Sequence, residues 1–155
     1  MTVYIGIDPG LSGAMAMIIE NEDFVRVYDT PTMKVGKHHE FSLPEMVKLL
    51  EGNMPIQAVI EKVHSMPRQG VASSFSFGKG VGYWIGILAA LRIPYEEVTP
   101  QRWQRTMLDG MQKTKDASRY KAMQLFPQLV EQLKLKSHDG RADALLIAEW
   151  RRRQG

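Results

Sequence analysis

The sequence predicts a mixed α/β fold, with three antiparallel strands followed by parallel ones in a single sheet flanked by helices. Three β-rich segments fall within the first thirty residues, separated only by turns, which is the spacing of an antiparallel meander. Later apolar strands alternate with helical stretches, the arrangement that builds parallel crossovers. The chain has 155 residues, a length that predicts one domain over 1–155, with no linker-like stretch inside it.

Thr2–Ile7 alternates and is β-branched, and Asp8-Pro9-Gly10 ends it, so the first strand stops at an aspartate. Gly13–Ile19 reads as a second strand, apolar on both faces, and Phe24–Tyr28 as a third with clean alternation. Ser42-Leu43-Pro44-Glu45 has the form of a capping box with an early proline and opens a helix to about Glu51. Gln57–Glu61 is a fourth strand that again ends on an acid, followed by a Gly-, Ser- and Pro-rich loop from Lys62 to about Ser74. Helical spacing over Phe75–Leu91 survives four glycines, each costing up to ~1 kcal/mol against alanine. Pro94–Val98 is a fifth strand, and Thr99-Pro100 caps a helix through about Leu108. Asp109–Lys115 is loop, Lys115–Phe126 is helical up to Pro127, and Asp139–Arg153 forms the last helix.

The absence of cysteine excludes disulfide frameworks, thiolate nucleophiles and cysteine zinc sites. No apolar run approaches the ~18–20 residues that span a bilayer, and the start MTVYIGID lacks the basic region of a signal peptide. A cytoplasmic protein without membrane association is expected. The net charge of +3 conceals a strong asymmetry: residues 1–61 carry −5 and residues 62–121 carry +6. A middle third this basic can meet phosphates, although a solvated face balancing an acidic one reads equally well.

Four acids stand out. Asp8 and Glu61 each end a strand, where open α/β sheets place their ligands, and they converge if those strands are neighbours. Asp139 and Asp143 are four apart on the last helix and share one face. Converging carboxylates repel unless a hard divalent cation lies between them. Taken singly, each has a plainer explanation: Asp8 as a turn former, Asp139 as a helix cap, Asp143 paired with Arg141 or Arg151, and Glu61 with Lys62. Glu61 is the hardest to dismiss, because a carboxylate closing the apolar run AVIE needs a partner at a buried sheet end.

IGIDPG followed by LSGAMA, then VIEKV, TPQRW and HDGRADALLIAEW, resembles the RuvC Holliday-junction resolvases, and within them the phage and organellar relatives. The four blocks span nearly the whole chain in the right order. The resemblance implies an RNase H-like fold and a metal-dependent endonuclease that resolves four-way DNA junctions as a homodimer. It implies one or two Mg²⁺ (or Mn²⁺) per protomer held by Asp8, Glu61, Asp143 and a fourth ligand. Where the family places that fourth ligand this chain has Gly140; Asp139 is the preferred substitute and His138 the alternative.

For DNA contact the resemblance and the basic distribution point to His64, Arg68, Phe75, Arg105, Lys113 and Lys115. His64 stands at the family's junction wedge. Phe75 offers a stacking face, unless it packs the start of its helix into the core. Gly78, Gly82 and Gly86 form a smooth helical stripe, for which packing on the sheet and a homodimer face are the two readings. A phage source, acting in the cytoplasm of a bacterial host, fits the short chain. Three other functions remain open: another RNase H-like nuclease acting on RNA or branched intermediates, a non-catalytic junction binder, and a phosphate-loop kinase or ATPase.

Overall fold

A computed structural model describes residues 1–21, 23–63 and 68–155. Its sheet has five strands in the order β3-β2-β1-β6-β7. These are β1 (Val3–Asp8), β2 (Ala14–Ile19), β3 (Val25–Asp29), β6 (Ile56–Glu61) and β7 (Tyr95–Val98). β1, β2 and β3 pair antiparallel, whereas β6 pairs parallel with both β1 and β7. The mixed sheet expected from the sequence is therefore present, with the first and fourth predicted strands as neighbours.

Alternation along the strands divides the core in two. Val3, Ile5, Ile7, Met15, Ala58 and Ile60 face α1 (Leu43–Leu50) and α2 (Val71–Ala90), where Met46, Leu50, Trp84 and Leu88 meet them. Tyr4, Ala14, Ala16, Val59 and Val98 face the opposite layer, built from α3 (Pro100–Met107), α4 (Ala117–Leu125) and α5 (Asp139–Arg153). Trp103, Leu145, Leu146 and Trp150 fill that side. By the same parity Asp8 falls on the α5 face with Tyr4 and Gly6, and Glu61 falls there with Val59.

Gly6 and Gly140 let α5 lie closer to the sheet than side chains permit. A Cβ on Gly6 would stand 2.2 Å from the Ala144 carbonyl oxygen, and one on Gly140 would stand 2.5 Å from that of Ser12. The second contact seats the start of α5 on the β1–β2 turn.

Three features differ from the sequence reading. Thr32–Val35 and His38–Phe41 form a separate hairpin, β4 and β5, where no strands were expected. Its residues bury no face except at Phe41. Met33 and Val35 alternate with Thr32 and Lys34 but over too short a run to read as a strand, and the turn glycine, Gly36 at φ 61, is the other local signal. Helix α2 begins at Val71 rather than Phe75: Val71, Ala72, Ser73 and Ser74 add a first turn within the stretch expected to be loop, with Gly70 at the N-cap. Ser42 takes the N-cap position of α1 but makes no side-chain capping bond. The Thr99 cap does form, with its hydroxyl accepting from the Arg102 N–H at 3.3 Å.

Candidate active site

Strand register brings the first two acids together. Ile7 lies opposite Ile60 in the parallel β1–β6 pair, so Asp8 and Glu61 are the next residues along at the same sheet edge. Asp143 comes to them from α5, one residue before the Ala144 that packs on Gly6. Glu61 is buried, while Asp8 and Asp143 keep part of their surface at a concave edge otherwise surrounded by protein atoms.

Each carboxyl is held above the ordinary carboxylate range. Burial pushes Asp8 up to about 6, against a weaker opposing bond from the Gly10 backbone. Burial raises Glu61 to about 7; Trp103 lowers it and the charge of Asp8 adds to the rise. Asp143 reaches about 8 through burial first and then repulsion from Asp8 and Glu61, with a Ser118 hydrogen bond opposing and Asp139 adding a little. Among the described residues, none of the three forms an ion pair. Arg141 instead grips Asp29 at 2.7 and 2.9 Å, and Arg151 reaches Glu96 at 3.4 Å, so neither plainer partner for Asp143 is available.

Asp139 borders Asp143 in one cleft but is engaged elsewhere. Arg119 Nε donates to it at 2.9 Å, and the same buried guanidinium also bonds Asp116 and the Lys134 carbonyl oxygen. His138 is likewise engaged, its Nδ1 accepting the Leu135 N–H at 3.2 Å. Its surroundings are Arg141, Asp29, Arg119 and Lys134, and burial holds its pKa below the usual imidazole value. The Gly140 position is closed by the β1–β2 turn, so a side chain there collides with backbone. Among the described residues, no three His, Asp or Glu side chains are arranged to hold an ion as they stand.

Arg105, Lys113 and Lys115 line one cleft of about 840 Å³ together with Asp139 and Asp143. All three basic side chains are exposed, as is Arg68. The ring of Phe75 is 70% exposed, which removes the core-packing reading, and Lys79 Nζ lies 5.6 Å from its centre. His64 lies outside the described residues. A Cβ on Gly78, Gly82 or Gly86 would meet nothing within 4 Å, so this stripe faces away from the sheet. Gly80 is the glycine of α2 that packs inward, against Pro9 and Phe41.

Three neighbours of the acids were not foreseen. Trp103 Nε1 donates to Glu61 Oε2 at 2.7 Å in the core, Ser118 bonds Asp143, and Arg119 holds Asp139. Thr99-Pro100 locates the helix that carries Trp103, but no local pattern reveals its bond to a residue 42 positions away.

No protein-family model matches the chain. Over 85 residues, 55% of this chain, it is 34% identical to the chloroplastic Holliday junction resolvase MOC1 of Chlamydomonas reinhardtii, of which it spans 10%. Thermus thermophilus RuvC in complex with a Holliday junction substrate superposes with a TM-score of 0.65 at 15% identity, covering 100% of this chain and 97% of that one. A second T. thermophilus RuvC structure gives 0.64 at 16% identity, with 99% and 96% covered. The chain has the RuvC fold, as the RNase H-like expectation required. No helix among the described residues is long and apolar enough to cross a membrane.

Proposed function

We propose that residues 1–155 form a single RuvC-like nuclease domain, a divalent-metal-dependent endonuclease that resolves four-way DNA junctions by paired phosphodiester hydrolysis. The observation that carries this reading is the crowding of Asp8, Glu61 and Asp143 at one sheet edge, unneutralised by any described cation and bordered by a basic cleft. Repelling, partly desolvated carboxylates are costly to maintain, and a hard divalent cation removes the cost. The matches to a junction resolvase in sequence and to a junction-bound RuvC in fold support four-way DNA as the substrate.

The donor set fits Mg²⁺ or Mn²⁺, one or two per protomer, because it is all carboxylate oxygen. Asp8, Glu61 and Asp143 would hold it, drawn inward by side-chain rotation, and Asp139 would join on release from Arg119. When bound, such ions activate water and stabilise the leaving oxygen of a phosphodiester. The protein's own groups do the rest. Trp103 fixes one Glu61 oxygen and leaves the other without that bond. Arg105, Lys113 and Lys115 meet strand phosphates and offset the charge that develops there. Arg68, Phe75 and His64 are assigned to DNA contact beyond the scissile phosphate, with the exposed Phe75 ring free for stacking.

Homodimerisation through the open Gly78–Gly82–Gly86 face of α2 would place two such edges on opposed strands of a symmetric junction. The cytoplasm of a bacterial host is the proposed location.

The test compares wild type with Asp8→Asn on labelled four-way, three-way, flap and linear DNA, in Mg²⁺ or Ca²⁺. Symmetric nicks in the four-way substrate by wild type, with binding but no cleavage by the variant, are expected. Equal cleavage of linear duplex would transfer the assignment to another nuclease of this fold.

A further inference from the structure

The β4–β5 hairpin leaves the body at the carboxylate edge. Ala14 pairs with both Asp8 on β1 and Asp29 on β3, so β3 ends beside the acids. The Thr30 N–H then donates to the Gly13 carbonyl oxygen at 3.0 Å, and the Thr30 hydroxyl donates to that of Gly10, also at 3.0 Å. On the return, Phe41 is buried edge-on against Tyr83, with ring centres 5.5 Å apart, and fills the space beside Gly80. The base is thus fixed to the turn that carries the site, while Thr32 through Glu40 are all exposed.

Nothing in the hairpin's own packing accounts for it, because a two-stranded ribbon without a buried face contributes little stability. Its charge pattern is selective. The first 61 residues carry four Lys and Arg against nine acids, and two of those four, Lys34 and Lys37, are here. Opposed residues share a face, so Lys34 and His39 continue outward from Thr32 and Phe41, whereas Glu40 faces the other way with Met33. One face is therefore free of acid, and Lys37 lies in the turn at the far end of the hairpin. At roughly 3.4 Å per residue each four-residue strand extends about 14 Å, and a two-stranded ribbon is an element that a DNA major groove admits.

We propose that this hairpin is a second DNA-binding element, in which Lys34 and Lys37 grip backbone phosphates of a duplex arm on the α2 side of the carboxylate edge. The Arg105–Lys113–Lys115 cleft lies on the α5 side, so the two basic surfaces flank the edge and the scissile strand passes between them. The proposal rests on the junction-DNA reading given above.

The test measures junction binding by fluorescence anisotropy across a salt series, in an Asp8→Asn background that leaves the DNA intact. Each phosphate contact contributes about 0.9 to the slope of log affinity against log salt, so Lys34→Ala/Lys37→Ala should flatten it by about 1–2. Lys34→Arg/Lys37→Arg should restore the slope, and all forms should melt at the same temperature because both side chains are exposed. An unchanged slope and affinity in the alanine variant, with Asp8→Asn still binding, overturns the hairpin's role alone. Loss of self-association by the alanine variant with DNA binding intact does so too, by making the hairpin a contact between copies. Failure of Asp8→Asn itself to bind any junction at low salt overturns the underlying functional reading instead.

Discussion

Asp143→Asn isolates the cost of crowding the acids. The carboxyl ionises near 3.8 when free and near 8 in the fold, with burial as the leading cause. The folded state therefore retains a proton that the unfolded chain has lost. Without metal, stability is fully present below the lower value and falls as pH rises through the upper one. Integrating this linkage from pH 5 to pH 8 gives an upper limit of roughly 4 kcal/mol for the group alone. Water at the open side of the edge, and the sharing of repulsion with Asp8 and Glu61, reduce this to about 2 kcal/mol. Asparagine keeps the shape and cannot ionise. In EDTA, thermal unfolding should place the variant close to wild type at pH 5 and higher by roughly 4–8 °C at pH 8, at about 2–4 °C per kcal/mol for a chain of this size. Saturating Mg²⁺ should then raise wild type and leave the variant largely unmoved. A variant that melts below wild type by the same margin at both pH values would refute the reasoning, because the carboxylate would then be carrying no electrostatic penalty.

Other substitutions probe the supports of the site. Gly6→Ala drives a methyl into the backbone at Ala144 and Ala148, 2.2 and 2.5 Å away, so α5 must lift from β1; urea denaturation should show a loss of about 3 kcal/mol, and wild-type stability would contradict the close approach. Trp103→Phe keeps most of the ring but removes the donor that lowers Glu61. The acid limb of the pH–rate profile should then move upward, with kcat at neutral pH falling about tenfold for a loss of ~1.4 kcal/mol. An unmoved limb would show that this hydrogen bond has no bearing on Glu61. Arg119→Met leaves Asp116 and Asp139 without their shared guanidinium and should cost about 2 kcal/mol in chemical denaturation.

The strands, and the acids that end β1 and β6, were legible because they rest on short-range signals. That these two strands are neighbours, on which the convergence of Asp8 with Glu61 depends, is a long-range pairing only the fold supplies. Alternation marked the strands, Pro9-Gly10 marked the end of the first, and an acid closing an apolar run marked the fourth. The hairpin was not legible, since the alternation of Thr32–Val35 spans only four residues, His38–Glu40 is polar throughout, and only Phe41 is buried. Phe75 shows the converse limit: helical spacing placed it on α2, but only the packing of neighbouring Gly80 against Pro9 and Phe41 turns the Phe75 side outward. The gap in the ligand pattern at Gly140 was visible, whereas its cause was not. It lies in the contact with Ser12, brought near by the whole antiparallel turn. Arg119 was hidden for the same reason, because its three partners, Asp116, Lys134 and Asp139, come together only when α4 packs on α5.

Anomalous scattering from crystals soaked in Mn²⁺ would locate the cation directly. The account predicts a peak at the end of β1 and β6, roughly 2 Å from oxygens of Asp8 and at least one of Glu61 and Asp143. Crystals in which manganese occupies surface carboxylates while that sheet edge stays empty, and in which the three side chains keep their present separation, would contradict it.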